Sequence, residues 1–210
     1  MQKPLVILGA GKVGMALARA FAAKGQAVLF GVRDPAKYRD ALAGLGTAAS
    51  ITTTDEAISA GDLIILAVPY TSAVGIAAAL PDWGGRILVD ATNPLAPGLA
   101  GLTLGTTTSG AETIAASASG ARVIKAFNTT GAENMADSAY TGGSILLPVC
   151  GDDADARARV IALATLIGFD AVDFGALAAA RYVEPFAMNW IHMSVKLGHG
   201  RNFAFARLTR

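Results

Sequence analysis

Three glycines, Gly9, Gly11 and Gly14, stand in Gly-x-Gly-x-x-Gly spacing within VILGAGKVGMALARAFAAKG, after an apolar run of strand length and at the opening of an amphipathic segment. In that setting Gly9 permits a tight turn, Gly11 removes a side chain where backbone must approach a pyrophosphate, and Gly14 lets helix and strand pack closely. The helix that follows turns its free N–H groups and positive dipole end toward the phosphates. Ala10, Lys12 and Val13 complete the loop. The competing reading is a glycine-rich turn in an α/β fold without nucleotide. An ATP-type phosphate loop is excluded, because Lys12 is followed by Val13 and not by the Ser or Thr that would hold magnesium. The expected ligand is a dinucleotide.

The residue that binds the adenosine ribose in such loops lies at the end of the second strand, about 20 residues past the glycines. Gly31 stands 31 − 14 = 17 residues after Gly14, within FGVRDP, and neither it nor Val32 is acidic. Arg33 instead offers a planar fork of donors suited to a 2′-phosphate. Lys37 lies one helical turn on, where it can converge on the same phosphate. Asp34, before Pro35, reads as a helix cap. The alternative for Arg33 is a surface pair with Asp34 or Asp40. NADP is the expected cofactor.

No general acid or base is legible. Tyr38, Tyr70, Tyr140 and Tyr182 lack a lysine four residues on, and Lys196 is followed at that distance by Gly200 and not by Asn. His192 and His199 have no partner carboxylates at metal-ligand spacing, so no metal site is expected. Cys150 has nothing nearby in sequence to activate it and reads as structural. The polar residues left at strand ends are Thr92, Asn93, Asn128 and Thr129. Asn93 reads equally as a turn residue before Pro94. A site of amides, hydroxyls and apolar walls suits hydride transfer to an acceptor that needs little proton help, such as a flavin or deazaflavin.

The elements that must position these residues alternate along the chain. Strand-length apolar runs at 5–10, 27–32, 49–53, 62–68, 86–92 and 122–127 are separated by helical segments, two of them opened by the capping boxes Thr53/Glu56 and Ser109/Glu112. Such alternation predicts right-handed crossovers and a parallel sheet. The expected fold is α/β: a Rossmann-type doubly wound, mostly parallel sheet with helices on both faces and a small C-terminal α/β lobe. Residues 1–130 are read as the NADP-binding domain and 131–210 as the lobe, on the substrate side. The lobe holds runs at 144–151 and 170–175, a helix over about 152–168, and a helical finish that Pro185 kinks or restarts. The long loop 93–108, rich in Pro, Gly and Thr, follows a strand end and is a candidate for function.

Composition agrees. The chain has 210 residues, 53% of them hydrophobic and 16% charged, with a mean hydropathy of +0.47, which suits a sheet buried on both faces. A net charge of +1 without a basic cluster argues against nucleic acid. No apolar stretch approaches the length of about 18 residues that suggests a membrane span. The single cysteine points to a reducing compartment, the cytoplasm.

Several stretches together, VILGAGKVG, FGVRDPAK, AVPY, VDATNPL, VIKAFNT, PVCGDD, GFDAVDFGAL and RYVEP, resemble the NADPH-dependent coenzyme F420 reductase family and the related cytoplasmic domains of membrane ferric reductases. The resemblance covers nearly the whole chain. It implies that Ala10 to Val13 wrap the pyrophosphate, that Val32, Arg33 and Lys37 hold the 2′-phosphate, that Val68 and Pro69 flank the cofactor, and that Asn128 edges the nicotinamide. It also implies direct hydride transfer between NADP(H) and coenzyme F420 by positioning alone, with no catalytic acid or base. FMN or FAD are the alternative co-substrates. The alternative functions are a flavin-mediated metal or quinone reductase and a non-catalytic NADP(H)-binding redox sensor. Phe186, Met188 and Trp190 are candidates, with Thr129, to line the acceptor, although the apolar finishing helix serves equally for core packing or a homodimer contact. The expected partner is a small redox acceptor.

Replacing the forked cation gives a first test. Arg33→Ala is expected to weaken NADPH binding about ten- to a hundredfold, the worth of a charge-assisted hydrogen bond, while leaving NADH binding nearly unchanged in parallel titrations.

Overall fold

The structure, a computed structural model, describes residues 3–210. Eight strands run β1 (Leu5–Leu8), β2 (Val28–Val32), β3 (Ala49–Thr53), β4 (Leu63–Leu66), β5 (Ile87–Asp90), β6 (Arg122–Lys125), β7 (Leu146–Gly151) and β8 (Asp170–Asp173). Between and after them come α1 (Lys12–Ala23), α2 (Arg39–Leu42), α3 (Thr54–Ala60), α4 (Tyr70–Ala77), α5 (Gly110–Ser117), α6 (Ala132–Ala136), α7 (Ala154–Leu166) and α8 (Ala180–Ile191). The strands form one sheet in the order β3-β2-β1-β4-β5-β6-β7-β8. All pairs from β3 to β6 are parallel, β7 is antiparallel to β6, and β8 runs parallel to β7. The sheet therefore crosses residue 130 without interruption, and residues 131–210 add β7 and β8 to it. The strand order reverses between β1 and β4, which opens a crevice at the carboxyl ends of these strands.

Period-two alternation divides the core into two layers. Leu5 and Ile7, Leu63 and Ile65, and Ile87 and Val89 pack with Leu17 and Phe21 of α1 and Val160 of α7. Val6 and Leu8, Ile64 and Leu66, and Leu88 pack on the other face with Ala57 of α3, Ala73 of α4, Ile114 of α5 and Val183 of α8. Strands covered on both faces are apolar throughout, which is why β1 and β4 read as unbroken LVIL and LIIL.

The helix starts follow their caps. Thr53 and Glu56 close a reciprocal capping box, Ser109 accepts from the Glu112 N–H, Asp153 from the Ala156 N–H, and Asp34 from the Ala36 N–H at the 3₁₀ turn Pro35–Tyr38. Pro185 neither starts nor ends a helix: α8 runs through it. Pro185 lies on an exposed face of the helix, and its ring leaves the carbonyl one turn back without an N–H partner. A π-helical turn, His192–Lys196, follows α8.

Two glycines of the loop are required by packing. Gly9 has φ +103°, and a Cβ there would lie 2.5 Å from the Ala67 carbonyl oxygen. A Cβ on Gly14 would lie 2.0 Å from the Gly9 carbonyl oxygen, whereas one on Gly11 would meet nothing within 4 Å. Gly14→Ala is thus expected to cost about 1–3 kcal/mol and lower Tm by about 2–12 °C. Gly11→Ala, at a helix N-cap, is expected to stay within about 3 °C of the parent while weakening dinucleotide binding. Thermal melts beside cofactor titrations check the contrast.

Candidate functional site

The carboxyl ends of β1, β4, β5 and β6 lie side by side and carry the glycine loop, Ala67 to Pro69, Ala91 to Asn93, and Ala126 to Thr129. The Gly9 N–H donates to the Gly31 carbonyl at 3.0 Å, continuing the β1–β2 ladder, and Gly11 then caps α1 without a side chain. Gly11 and Lys12 are exposed, Ala10 and Val13 half-buried. This is a cradle with room on its open side, fit for a pyrophosphate at a helix N-terminus. Val68 is half-buried and Pro69 exposed at the start of α4.

At the end of β2, Val32 is buried while Arg33 and Lys37 are exposed. Neither cation is in an ion pair among the described residues, and Asp34 is occupied as a cap at 3.1 Å from the Ala36 nitrogen. Gly31 has a structural reason of its own: a Cβ there would lie 2.5 Å from Leu8 Cδ2 and 2.7 Å from Ala57 Cβ. Close packing of β1, β2 and α3 excludes any side chain at that position, an acid included.

Beyond β6 the chain turns sharply. Phe127 holds φ +59°, a left-handed conformation that costs a non-glycine residue about 1–3 kcal/mol. Its ring is clamped edge-on between Phe21 at 6.5 Å and Phe169 at 6.1 Å. The turn brings Asn128 to Asn93: the Asn93 side-chain amide donates to the Asn128 carbonyl, and the Asn128 amide to Asn93 Oδ1, both at 2.9 Å. Three buried polar oxygens then remain without a partner among the described residues, Thr92 Oγ1, Asn128 Oδ1 and Thr129 Oγ1. Buried polar atoms seldom lack partners, and three at one sheet edge leave bonds for water or a polar ligand to complete. A fourth, Ser194 Oγ, belongs to the π-helical turn.

Directly beneath this edge lies a charge network to which the sequence reading assigned no role. Lys125, Asp90 and Glu184 are each 0% exposed. The Lys125 ammonium donates to Asp90 Oδ2 at 2.8 Å and to the Thr92 carbonyl at 2.6 Å, and it pairs with Glu184 Oε1 at 2.9 Å. Burial works against the ammonium, but Asp90 and Glu184 outweigh it and hold its pKa above the ordinary lysine value. Its stabilising contribution is therefore complete below the unfolded value of about 10.4 and is lost only as pH rises through the folded one. Cys150, paired with Lys125 across β6 and β7, is fully buried, and burial pushes its thiol up to about 12. It is inert at neutral pH. The visible signal for the network was one charge inside each of the apolar runs RILVDAT and RVIKAF.

Of the expected acceptor wall, Thr129 is at this edge, 3% exposed. Trp190 lies close by, its ring so near Gly131 that a Cβ there would sit 2.5 Å from Trp190 Cη2, and it also stacks on Phe203 at 5.4 Å and donates its indole N–H to the Phe203 carbonyl at 2.8 Å. Phe186 packs on Phe205 at 4.9 Å, and Met188 is half-buried. The C-terminal segment thus occupies these aromatic faces. A concavity of about 770 Å³ lies elsewhere, lined by Ala23, Lys24, Tyr140 and Gly168, none of them a site residue. A smaller one of about 410 Å³ reaches the glycine loop at Ala10, Gly11 and Lys12.

The coenzyme F420-dependent NADP oxidoreductase family model matches residues 4–94. A crystal structure from Arthrobacter sp. FB24, assigned as an F420-dependent NADP-reductase, is 30% identical with a TM-score of 0.86 over 98% of this chain and 100% of that one. Protein SMa0349 of Sinorhizobium meliloti is 35% identical with a TM-score of 0.79 over 87% and 90%. Rat metalloreductase STEAP3 is 33% identical over 181 residues, 85% of this chain and 35% of STEAP3. The chain thus spans about a third of that curated relative's length. The chain thus belongs to the coenzyme F420-dependent NADP oxidoreductase family and is an NADP-dependent oxidoreductase.

Proposed function

We propose that the protein transfers hydride between NADP(H) and a deazaflavin of the coenzyme F420 type. The observation that carries this reading is the trio of unpartnered buried acceptors, Thr92 Oγ1, Asn128 Oδ1 and Thr129 Oγ1, at the sheet edge beyond the glycine loop. A carboxamide N–H₂ and ribose hydroxyls are donors that would answer them. When bound, NADP(H) supplies or takes up the hydride at its nicotinamide. The chain's part is positioning: Gly11 and the α1 N-terminus hold the pyrophosphate, Arg33 and Lys37 the 2′-phosphate, and the Asn93–Asn128 pair stiffens the nicotinamide edge. Holding reactants about 3–3.5 Å apart replaces a bimolecular encounter with an oriented one. The ionisable groups at the edge, Lys125, Asp90 and Glu184, are fully buried and engaged with one another, which suits an acceptor that takes its proton from solvent. A second reading, reduction of a flavin that passes electrons to a metal or quinone, draws on the likeness to the rat metalloreductase. In either case the single buried Cys150 suits a reducing cytoplasm.

Anaerobic stopped-flow mixing of NADPH with F420, FMN, FAD and a quinone tests the acceptor. Rapid oxidation with F420 and not with FMN or FAD is the expected outcome; the reverse favours the second reading, and turnover with none overturns both. The nicotinamide edge has its own test. Thr129→Val removes a buried hydroxyl that lacks a partner, so the ligand-free protein should keep or raise its Tm, while NADPH affinity falls about three- to tenfold for one lost hydrogen bond.

A further inference from the structure

The buried network joins parts of the chain that are far apart in sequence. Asp90 ends β5, Lys125 ends β6, and Glu184 comes from α8. Every proton of the ammonium has an acceptor: Asp90 Oδ2, Glu184 Oε1 and the Thr92 carbonyl. Asp90 Oδ1 also accepts from the Thr92 N–H at 2.8 Å. The backbone of Thr92 is thereby held at both its N–H and its C=O by one ion pair, while its hydroxyl is left unpartnered.

Glu184 serves a second set of donors. Its Oε2 accepts from the Gly110 N–H at 2.9 Å and its Oε1 from the Ala111 N–H at 3.1 Å, at the first turn of α5. These N–H groups and the dipole of α5 offset the surplus negative charge of two carboxylates on one ammonium. Gly110 makes the approach feasible, since a Cβ there would sit 3.2 Å from Glu184 Oε1 and 3.0 Å from the Tyr70 ring. Arg181 fastens the same face of α8 to α5 through a two-pronged pair with Glu112, at 2.9 and 2.6 Å.

A buried ionic network is weak evidence for stability, because apolar residues of equal volume hold a core as well or better. What it supplies here is direction, since each bond has one geometry. We propose that Glu184, acting through Lys125, is a positioning residue for hydride transfer: it registers α8 against Thr92 and so fixes the nicotinamide end of the cofactor relative to the acceptor side. This rests on reading the Thr92–Asn128 edge as the nicotinamide site. The adenosine end, across the sheet at β2, is outside its reach.

That difference in reach gives the test. NADPH and 2′,5′-ADP, which keeps the phosphorylated adenosine half and lacks nicotinamide, are titrated into wild type and into Glu184→Gln. The variant should bind NADPH about tenfold more weakly, as for one lost hydrogen bond, and 2′,5′-ADP within about twofold of wild type. Single-turnover hydride transfer should slow by at least as much at saturating NADPH. A folded variant with a lowered Tm but unchanged NADPH affinity and transfer rate overturns the proposal, as does an equal loss for both ligands. If Glu184→Gln does not fold, Glu184→Asp keeps the charge, shortens the reach to Lys125, and is held to the same outcomes. If wild type binds NADPH no more tightly than 2′,5′-ADP, the reading of the edge itself falls and the proposal with it.

Discussion

An ammonium sealed from water must be answered on every side, and the region around Lys125 is built to that requirement. Moving a charge out of water costs several kcal/mol unless it is paired and fully hydrogen-bonded. Three acceptors from β5, the turn after it and α8 meet that demand, and each brings its own element into register. The turn after β5 is tied by Thr92, α5 by the two N–H groups it gives Glu184, and α8 by Glu184 itself. The edge where a cofactor would end is rigid because the charge beneath it leaves little freedom.

The other end of the edge is governed by steric exclusion. β1, β2, α1 and α3 approach so closely that Gly9, Gly14 and Gly31 are places already filled by neighbouring atoms. Gly11 alone of the loop glycines borders empty space. The three-glycine pattern is therefore not uniform: packing requires two of its residues to be small and places no such demand on the third. The same packing bears on cofactor choice. With no side chain tolerated at Gly31, any recognition of a ribose there would fall to the exposed residues after β2, Arg33 and Lys37 among them.

Aromatic packing sets the boundary of the acceptor side. Phe203 and Phe205 return along α8, cover Trp190 and Phe186, and are held by the indole N–H and by the Asn134 amide on the Phe203 carbonyl. Phe127 is clamped in its left-handed turn by Phe21 and Phe169 in the same manner. In both places large rings fix backbone that carries polar groups: the Phe203 carbonyl in one, Asn128 in the other.

What the sequence determined by itself were the features set by neighbours along the chain. Alternation of apolar runs and capped helices specified the doubly wound sheet, because each element announces its period and its ends locally. The glycine loop and the cations after β2 were legible for the same reason. Only the tertiary structure decided which charges within RILVDAT, RVIKAF and RYVEP were partners, because an ion pair across 35 residues or more leaves no trace in local spacing. It also decided that Trp190 and Phe186 face the chain's own C-terminal segment, since an apolar helix stripe shows that something covers it without showing what. Pro185 within α8 had the same origin: whether a proline breaks a helix depends on whether water can reach the carbonyl it leaves bare, and exposure is a property of the fold.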